Sequence, residues 1–249
     1  MPLPWRTAWI TGASSGIGRA LALSLARQGV LVAASARSHD GLASLSAEEG
    51  RIRAYALDVT DRAAVADAHK QIVADLGGID LAVLNAGVWH PMKATAYSAE
   101  HAADSMAVNY LGVANAVEAL IPDMVQAGRG QIALVASVAG YRGLPKAAAY
   151  APSKAAVISL AEVLRLELAR HGIRVNLINP GFVDTPMTAT NRFPMPFIIK
   201  ADDAAARIIR GLAKGRFEIA FPWQLVALLK LARTLPYALY FKLAGRTNT

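Results

Sequence analysis

The sequence predicts an α/β fold, a Rossmann-like, doubly wound parallel β-sheet of about seven strands with helices on both faces. Three observations lead to this prediction. Short apolar segments alternate with helical patterns along the chain, which is typical of a parallel sheet covered on both faces. A glycine-rich segment separates the first strand from the first helix. Polar residues follow the later strands, where sheets of this kind bind ligands.

The predicted elements follow one another without a linker or an internal repeat. Short apolar segments predict strands, and apolar residues at intervals of three and four predict helices. The strands lie near residues 6–11, 30–35, 52–57, 79–84, 131–137, 173–178 and 217–221. The helices lie near residues 15–28, 39–49, 61–76, 99–127, 150–170 and 202–214. We expect one domain over residues 1–221 and an apolar, helical C-terminal extension over residues 222–249.

The composition excludes several kinds of chemistry. Of the 249 residues, 54% are hydrophobic and 18% are charged, so the chain can bury a large core. There is no cysteine, which excludes disulfides, cysteine nucleophiles and thiolate metal sites. The five histidines form no ligand pair at helical spacing, so we expect each at the surface and predict no metal site. They are His39, His69, His90, His101 and His171.

The first residues lack the apolar core of a signal peptide. The chain also has no uninterrupted run of about 18 apolar residues that could span a bilayer. We therefore expect a cytoplasmic protein.

The glycine-rich segment predicts a binding site for the pyrophosphate of a dinucleotide. Glycine lets the backbone turn tightly and approach a ligand. Free N–H groups and the helix dipole at the start of the following helix favour a phosphate. The spacing Gly-x-x-x-Gly-x-Gly differs from the commoner Gly-x-Gly-x-x-Gly. The residues expected to bind here are Gly12, Ser14, Ser15, Gly16, Ile17 and Gly18.

A second motif, from Tyr150 to Lys154, predicts acid–base chemistry at a carbonyl. The two side chains are four residues apart and share one helical face. A free tyrosine has a pKa of about 10. We expect the charge of Lys154, with that of an oxidised nicotinamide ring, to lower it. Tyr150 would then exchange a proton with a carbonyl or alcohol oxygen, which Ser137 would orient by a hydrogen bond. Together with the glycine turn, this motif predicts a reductase.

The ordered set of motifs from Thr11 to Thr185 resembles the short-chain dehydrogenase/reductase family of the compact, single-domain type. The resemblance implies that residues 1–221 are a dinucleotide-binding and catalytic domain with a tetrad of Asn109, Ser137, Tyr150 and Lys154. In that tetrad Lys154 also holds the nicotinamide ribose, and Asn109 holds a water that links Lys154 to solvent. We also expect a homo-oligomer, either a dimer or a tetramer. The further cofactor contacts that the resemblance implies are Asp58, Val59, Asn85, Ala86, Gly87, Pro180, Gly181, Val183 and Thr185.

The end of the second strand predicts which cofactor is preferred. An acidic residue there would bind the ribose 2′-hydroxyl of NAD and repel a 2′-phosphate. Here the strand ends in Ala36 and is followed by Arg37 and Ser38. A guanidinium suits a phosphate, and Ser38 adds a hydroxyl donor. We therefore predict that the protein binds NADP(H) in preference to NAD(H). Because cells keep their NADP(H) pool reduced, we expect the reaction to run toward carbonyl reduction.

The substrate and two other readings follow from local motifs. Residues 187–200 lie where the resembled family carries its substrate lid, and their phenylalanines and methionines favour an apolar ketone or aldehyde.

The segment Gly12–Gly16 also satisfies the Gly-x-Ser-x-Gly motif of α/β-hydrolases, but only one strand precedes it. A non-catalytic NADP(H)-binding sensor or scaffold on the same fold is the remaining alternative, against which the complete tetrad argues.

The C-terminal extension is both apolar and basic. Residues 219–249 contain four basic and no acidic residues, so they supply +4 of the net charge of +8. Pro236 divides the extension into two short helical patterns, neither of them long enough to span a bilayer. Two outcomes stay open: the extension packs on the body or a second subunit, or it lies in a membrane interface. No basic cluster with interleaved aromatics occurs elsewhere, so we expect no nucleic-acid partner.

Overall fold

The computed structural model describes residues 3–191 and 193–245. Its strands are β1 (Thr7–Thr11), β2 (Leu31–Ala36), β3 (Ile52–Ala56), β4 (Leu81–Leu84), β5 (Gly130–Val135), β6 (Ile173–Pro180), β7 (Val183–Asp184), β8 (Ile199–Lys200) and β9 (Glu218–Phe221). Seven of them form one parallel sheet in the order β3-β2-β1-β4-β5-β6-β9, and β7 pairs with β8 separately. The predicted doubly wound fold is confirmed.

The helices alternate with these strands as predicted, with one interruption. They are α1 (Gly16–Arg27), α2 (His39–Glu48), α3 (Arg62–Leu76), α4 (Ala99–Met106), α5 (Gly112–Ala127), α6 (Tyr150–Leu168), α7 (Pro186–Ala189), α8 (Ala201–Ala213), α9 (Trp223–Thr234) and α10 (Tyr237–Ala244). The pattern over residues 99–127 predicted one helix, but a π-helical segment, Ala107–Leu111, separates α4 from α5. A π turn widens the helix locally by about one residue, which a spacing of three and four does not reveal.

Two hydrophobic cores hold the helices to the two faces of the sheet. Successive residues of a strand point to opposite faces, so Ile10 and Trp9 of β1 enter different cores. Ile10 packs in the core that contains Leu21 of α1, whereas Trp9 packs in the core that contains Leu120 of α5. Full burial of one such side chain stabilises the fold by about 1.5–3 kcal/mol. The sheet is therefore a rigid platform whose strand carboxyl ends share one edge.

His69 corrects the expectation that every histidine lies at the surface. It is only 6% exposed, and its ring lies 6.2 Å from that of Trp9. Burial lowers the pKa of His69, although Asp123 opposes the shift. The sequence held a signal for this burial, since Val65, His69 and Ile72 share the inner face of α3. Within the described residues no group of three or more metal-ligating side chains comes together.

The predicted C-terminal extension contains α9 and α10, which flank Pro236. Its last residues, 246–249, lie outside the described residues. No helix in the described ranges combines the length and hydropathy that crossing a bilayer requires. That residues 1–221 form a domain of their own stays a prediction.

Candidate active site

The carboxyl ends of the sheet strands open onto a cavity of about 640 Å³, a size typical of small-molecule sites. Every predicted site residue lines this cavity except Gly18 and Asn109. Those that line it are Gly12, Ser14, Ser15, Gly16, Ile17, Arg37, Ser38, Asp58, Val59, Asn85, Ala86, Gly87, Ser137, Tyr150, Lys154, Pro180, Gly181, Val183 and Thr185. One crevice thus collects residues from six separate loops.

The glycine turn requires glycine for two different reasons. Gly12 and Gly16 have φ angles of 67° and 54°, in the left-handed region that side chains disfavour. A Cβ at Gly12 would also lie 2.8 Å from the Cα of Ala86. A Cβ at Gly18 would collide with the carbonyl oxygen of Gly12. Gly18 is buried behind the turn and lets α1 pack closely against it, and its predicted contact with the cofactor stays a prediction.

The start of α1 is left without a side-chain cap. The N-cap residue Ser15 forms no such hydrogen bond, whereas Ser38 caps α2 at 3.1 Å and Asp61 caps α3 at 3.0 Å. The first N–H groups of a helix need partners from outside it. Because Gly16 and Ile17 of α1 line the cavity, this turn fits the pyrophosphate of a dinucleotide.

Asn85 ties the end of β4 to the glycine turn. Its side-chain Nδ2 donates to the carbonyl oxygens of Thr11, at 3.1 Å, and Gly12, at 3.2 Å. In return the Thr11 hydroxyl accepts from the backbone nitrogens of Asn85 and Ala86, at 3.0 and 3.1 Å. These four bonds hold the two cofactor segments in one arrangement.

Tyr150, Ser137 and Lys154 meet at the opposite side of the cavity. Ser137 follows β5 and its Oγ lies 3.3 Å from the carbonyl oxygen of Pro180. Tyr150 begins α6, and its hydroxyl lies close enough to Ser137 for Ser137 to lower its pKa. One turn later, the Nζ of Lys154 donates to the carbonyl oxygen of Val135 at 2.9 Å and lies 5.7 Å from the centre of the Tyr150 ring. The structure thus brings three of the four predicted catalytic side chains together.

Burial shifts the pKa values of Tyr150 and Lys154 in opposite directions. Burial raises the pKa of Tyr150 to about 12, and the hydrogen bond with Ser137 opposes this only in part. Burial also lowers the pKa of Lys154 to about 8. We made the prediction that Lys154 lowers the pKa of Tyr150 for the protein with an oxidised nicotinamide ring beside the pair, and it stays a prediction. At neutral pH Tyr150 keeps its proton and most Lys154 side chains keep their charge.

Asn109 lies behind the cavity in the π-helical segment, fully buried. Its Oδ1 accepts from the backbone nitrogen of Val88 at 2.7 Å, and its Nδ2 donates to the Oγ of Ser153 at 2.9 Å. Ser153 in turn donates to the carbonyl oxygen of Tyr150 at 2.8 Å. Asn109 thus positions the start of α6 through Ser153, a residue that sequence reasoning missed. Its water-holding role stays a prediction.

The other end of the cavity carries the predicted specificity residues. Arg37 and Ser38 follow β2 and are exposed. Asp58 lies nearby, and its pKa is lowered chiefly by hydrogen bonds from Thr60, with a smaller electrostatic contribution from Arg37. Gly41 lets α2 approach the glycine turn, since a Cβ there would lie 2.8 Å from the Cβ of Ser14. A guanidinium and a helix N-terminus therefore stand together at this end of the cavity.

Two groups of cavity residues were absent from our predictions. Trp89 packs edge-on against Tyr150, with ring centres 5.0 Å apart, and its Nε1 donates to the Oδ1 of Asn191 at 2.9 Å. Leu225 and Leu229 reach the cavity from α9. Trp89 could have been found, because it comes two residues after Gly87. Leu225 and Leu229 could not have been found, because an apolar helical pattern does not show which part of the protein the helix packs against.

The predicted lid segment, 187–200, borders the same cavity. Met187, Asn191 and Phe193 line it, and the ring of Phe193 lies 6.0 Å from that of Phe182. Arg192 lies outside the described residues. The segment therefore borders the cavity near Tyr150, and its role as a substrate lid stays a prediction.

Comparison with known proteins agrees with this geometry. Residues 6–194 match the sequence profile of the short chain dehydrogenase family. The chain is 41% identical over 248 residues to an uncharacterized oxidoreductase of Myxococcus xanthus, with 98% of each protein covered. It is 35% identical to 3-oxoacyl-(acyl-carrier-protein) reductase FabG of Thermotoga maritima, covering 84% of this chain and 91% of that protein.

Solved structures give the same result. A short-chain dehydrogenase from Streptomyces avermitilis superposes with a TM-score of 0.84 at 26% identity, covering 98% of both chains. A short chain dehydrogenase/reductase from Burkholderia phymatum, in complex with NAD, superposes with a TM-score of 0.85 at 27% identity, covering 93% of this chain and 94% of that one. The protein belongs to the short-chain dehydrogenase/reductase family and is an oxidoreductase of that family.

Proposed function

We propose that the protein reduces the carbonyl group of a small apolar ketone or aldehyde with NADPH, and oxidises the corresponding alcohol in reverse. The observation that carries this proposal is the meeting of Tyr150, Ser137 and Lys154 at one wall of a cavity whose opposite end carries Arg37. The uncapped start of α1 and the close-packed glycine turn fit a dinucleotide between the two ends.

Tyr150, Ser137 and Lys154 each have a separate role in the proton transfer. Bound NADPH supplies the hydride that reaches the carbonyl carbon. Tyr150 gives its proton to the carbonyl oxygen, and its raised pKa of about 12 ensures that this proton is present at neutral pH. Ser137 donates a hydrogen bond to the same oxygen and orients it. The charged Lys154, 5.7 Å from the Tyr150 ring, stabilises the phenolate that remains.

The surroundings of Tyr150 support an apolar substrate. Apolar side chains from four segments line that part of the cavity: Trp89, Leu144, Met187, Phe193, Leu225 and Leu229. A carbonyl compound with an apolar body would bury it against these side chains while its oxygen meets Ser137 and Tyr150. The Thermotoga relative is a 3-oxoacyl-(acyl-carrier-protein) reductase, which supports carbonyl reduction as the reaction class.

The most direct test of this function is a panel of ketones and aldehydes scored by NADPH consumption. We expect turnover to rise with the apolar surface of the carbonyl compound. NADPH binding without consumption in the presence of any compound would contradict the proposal and favour the non-catalytic sensor.

Arg37 motivates a prediction about cofactor choice. The substitution Arg37→Ala should weaken NADPH binding roughly tenfold to a hundredfold, because one charge-assisted hydrogen bond contributes about 1.5–3 kcal/mol. NADH binding should hardly change, since NADH lacks the 2′-phosphate. Dissociation constants of both cofactors for both proteins measure this.

Arg174→Ala is the matched control, because Arg174 is exposed at the amino end of β6, the end remote from the cavity. An equal NADPH-to-NADH preference in wild type and Arg37→Ala would remove Arg37 from the site.

A further inference from the structure

The C-terminal helices α9 and α10 have an inner side that is firmly held to the body. Leu225 and Tyr240 are 7% and 6% exposed. Arg142 donates to the carbonyl oxygens of Arg233, at 3.0 Å, and Leu235, at 2.9 Å, and the Tyr240 hydroxyl bonds to the Gly143 carbonyl oxygen. One of the two expected outcomes, packing on the body, therefore holds for this side.

The outer side of the same helices is an exposed apolar surface, which we call the tail surface. Its side chains are 48–72% exposed. They are Trp223, Leu228, Leu231, Tyr237, Phe241 and Leu243. Single exposed apolar residues are ordinary, but a contiguous group of this kind marks an interaction surface. Two of its members are Trp and Tyr, whose rings favour the boundary between an apolar phase and water.

The charged side chains of the C-terminal extension itself are all positive. Arg233 and Lys242 are exposed beside it, and Lys230 is paired with Glu218 of β9. Residues 219–249 contain no acidic side chain. In a two-fold contact between copies the same patch faces itself, so these cations would approach one another without a carboxylate from the tail. An anionic surface would pair with them instead.

We propose that the tail surface binds the interface of an anionic lipid membrane, with α9 and α10 lying in the plane of the membrane. Helices of 12 and 8 residues are too short to span a bilayer, but they suit an interfacial position with apolar residues inserted and cations at the headgroups.

This position has a consequence for the cavity. α9 presents Leu225 and Leu229 to the cavity and Trp223, Leu228 and Leu231 to the outside. A single helix would thus separate the cavity from the membrane, so the site would lie beside the phase in which an apolar carbonyl compound concentrates. This consequence rests on the proposed function, whereas the membrane binding itself does not.

Co-sedimentation of the full chain with vesicles tests the binding. One set of vesicles is phosphatidylcholine alone and the other also contains phosphatidylglycerol. Leu231→Glu/Phe241→Glu changes the tail surface at positions that are each 63% exposed, so folding should be unaffected. Leu166→Glu, at an 80% exposed leucine of α6, is the matched control. NADPH binding and size-exclusion chromatography of each protein report folding and oligomeric state.

We expect the wild type to sediment with the anionic vesicles at low salt and to be released at high salt. The double variant should lose about tenfold or more in partitioning, whereas Leu166→Glu should bind as the wild type does. Arg233→Gln and Lys242→Gln should each lose about fivefold.

A wild type that stays in the supernatant with both vesicles would overturn the proposal, as would equal binding of the double variant and the wild type. If the wild type does not bind vesicles, and the double variant forms a smaller oligomer than the wild type and Leu166→Glu do, the tail surface is a contact between copies of the chain. None of these measurements involves turnover, so the membrane proposal can be refuted without refuting the proposed reaction, and the reverse also holds.

Discussion

The variant Tyr150→Phe is expected to lose about 10²–10⁴-fold in turnover, the usual contribution of a positioned acid–base group. The substitution removes the phenolic proton donor and keeps the ring, whose edge-on contact with Trp89 survives. NADPH affinity should therefore stay essentially unchanged. Steady-state rates with a reducible carbonyl compound and a separate titration of NADPH measure the two effects.

Tyr55→Phe is the matched control for this experiment. Burial also raises the pKa of Tyr55 to about 12, but its hydroxyl bonds to Asp75 at 2.8 Å, and the residue does not line the cavity. Removing the Tyr55 hydroxyl should lower the stability of the fold and leave turnover unchanged. Near wild-type turnover in Tyr150→Phe would remove Tyr150 from the proton transfer.

Lys154→Met is expected to abolish most turnover, to weaken NADPH binding, and to change how stability depends on pH. The pKa of Lys154 is about 8 in the folded protein against 10.5 for an ordinary lysine. Burying its charge therefore destabilises the fold by about 3 kcal/mol below pH 8. Between about pH 8 and 10.5 the unfolded chain holds the proton that the folded protein has released, so wild-type stability rises with pH across that window.

Methionine is never charged, so it lacks this dependence. The free energy of unfolding of the wild type should rise by about 3 kcal/mol relative to Lys154→Met between neutral pH and about pH 10.5. Denaturant unfolding of both proteins at the two pH values measures the difference. Lys70→Met, at an exposed lysine, should show no such change. Parallel stability profiles of wild type and Lys154→Met would show that Lys154 is not desolvated.

Local patterns were sufficient to predict the platform and most of the cavity. The glycine turn, the Asn85–Gly87 segment and the Tyr150–Lys154 motif each lie on a short stretch of chain. The carboxyl ends of parallel strands necessarily share one edge, so Ser137 and Pro180 could be placed beside them without a structure. The bounds of the predicted strands differ from the observed ones by about one or two residues, as helix and strand ends usually do.

The properties that could not be predicted all depend on the tertiary structure. The raised pKa of Tyr150 and the lowered pKa of Lys154 come from desolvation, which no spacing of residues reveals. The link from Asn109 through Ser153 to Tyr150 depends on a π turn. Leu225 reaches the cavity from a helix that packs on the body, where Arg142 and Gly143 bind the tail segment by hydrogen bonds.

The measurement that tests the central claim most directly follows a deuterium label. NADPH deuterated at its transferable position is mixed with the best carbonyl compound of the panel, and the alcohol is analysed by mass spectrometry. We expect one deuterium on the former carbonyl carbon with wild type and with Tyr55→Phe, and almost none with Tyr150→Phe in the same time. Unlabelled alcohol from the wild type, or equal labelling by Tyr150→Phe, would contradict hydride transfer at this site.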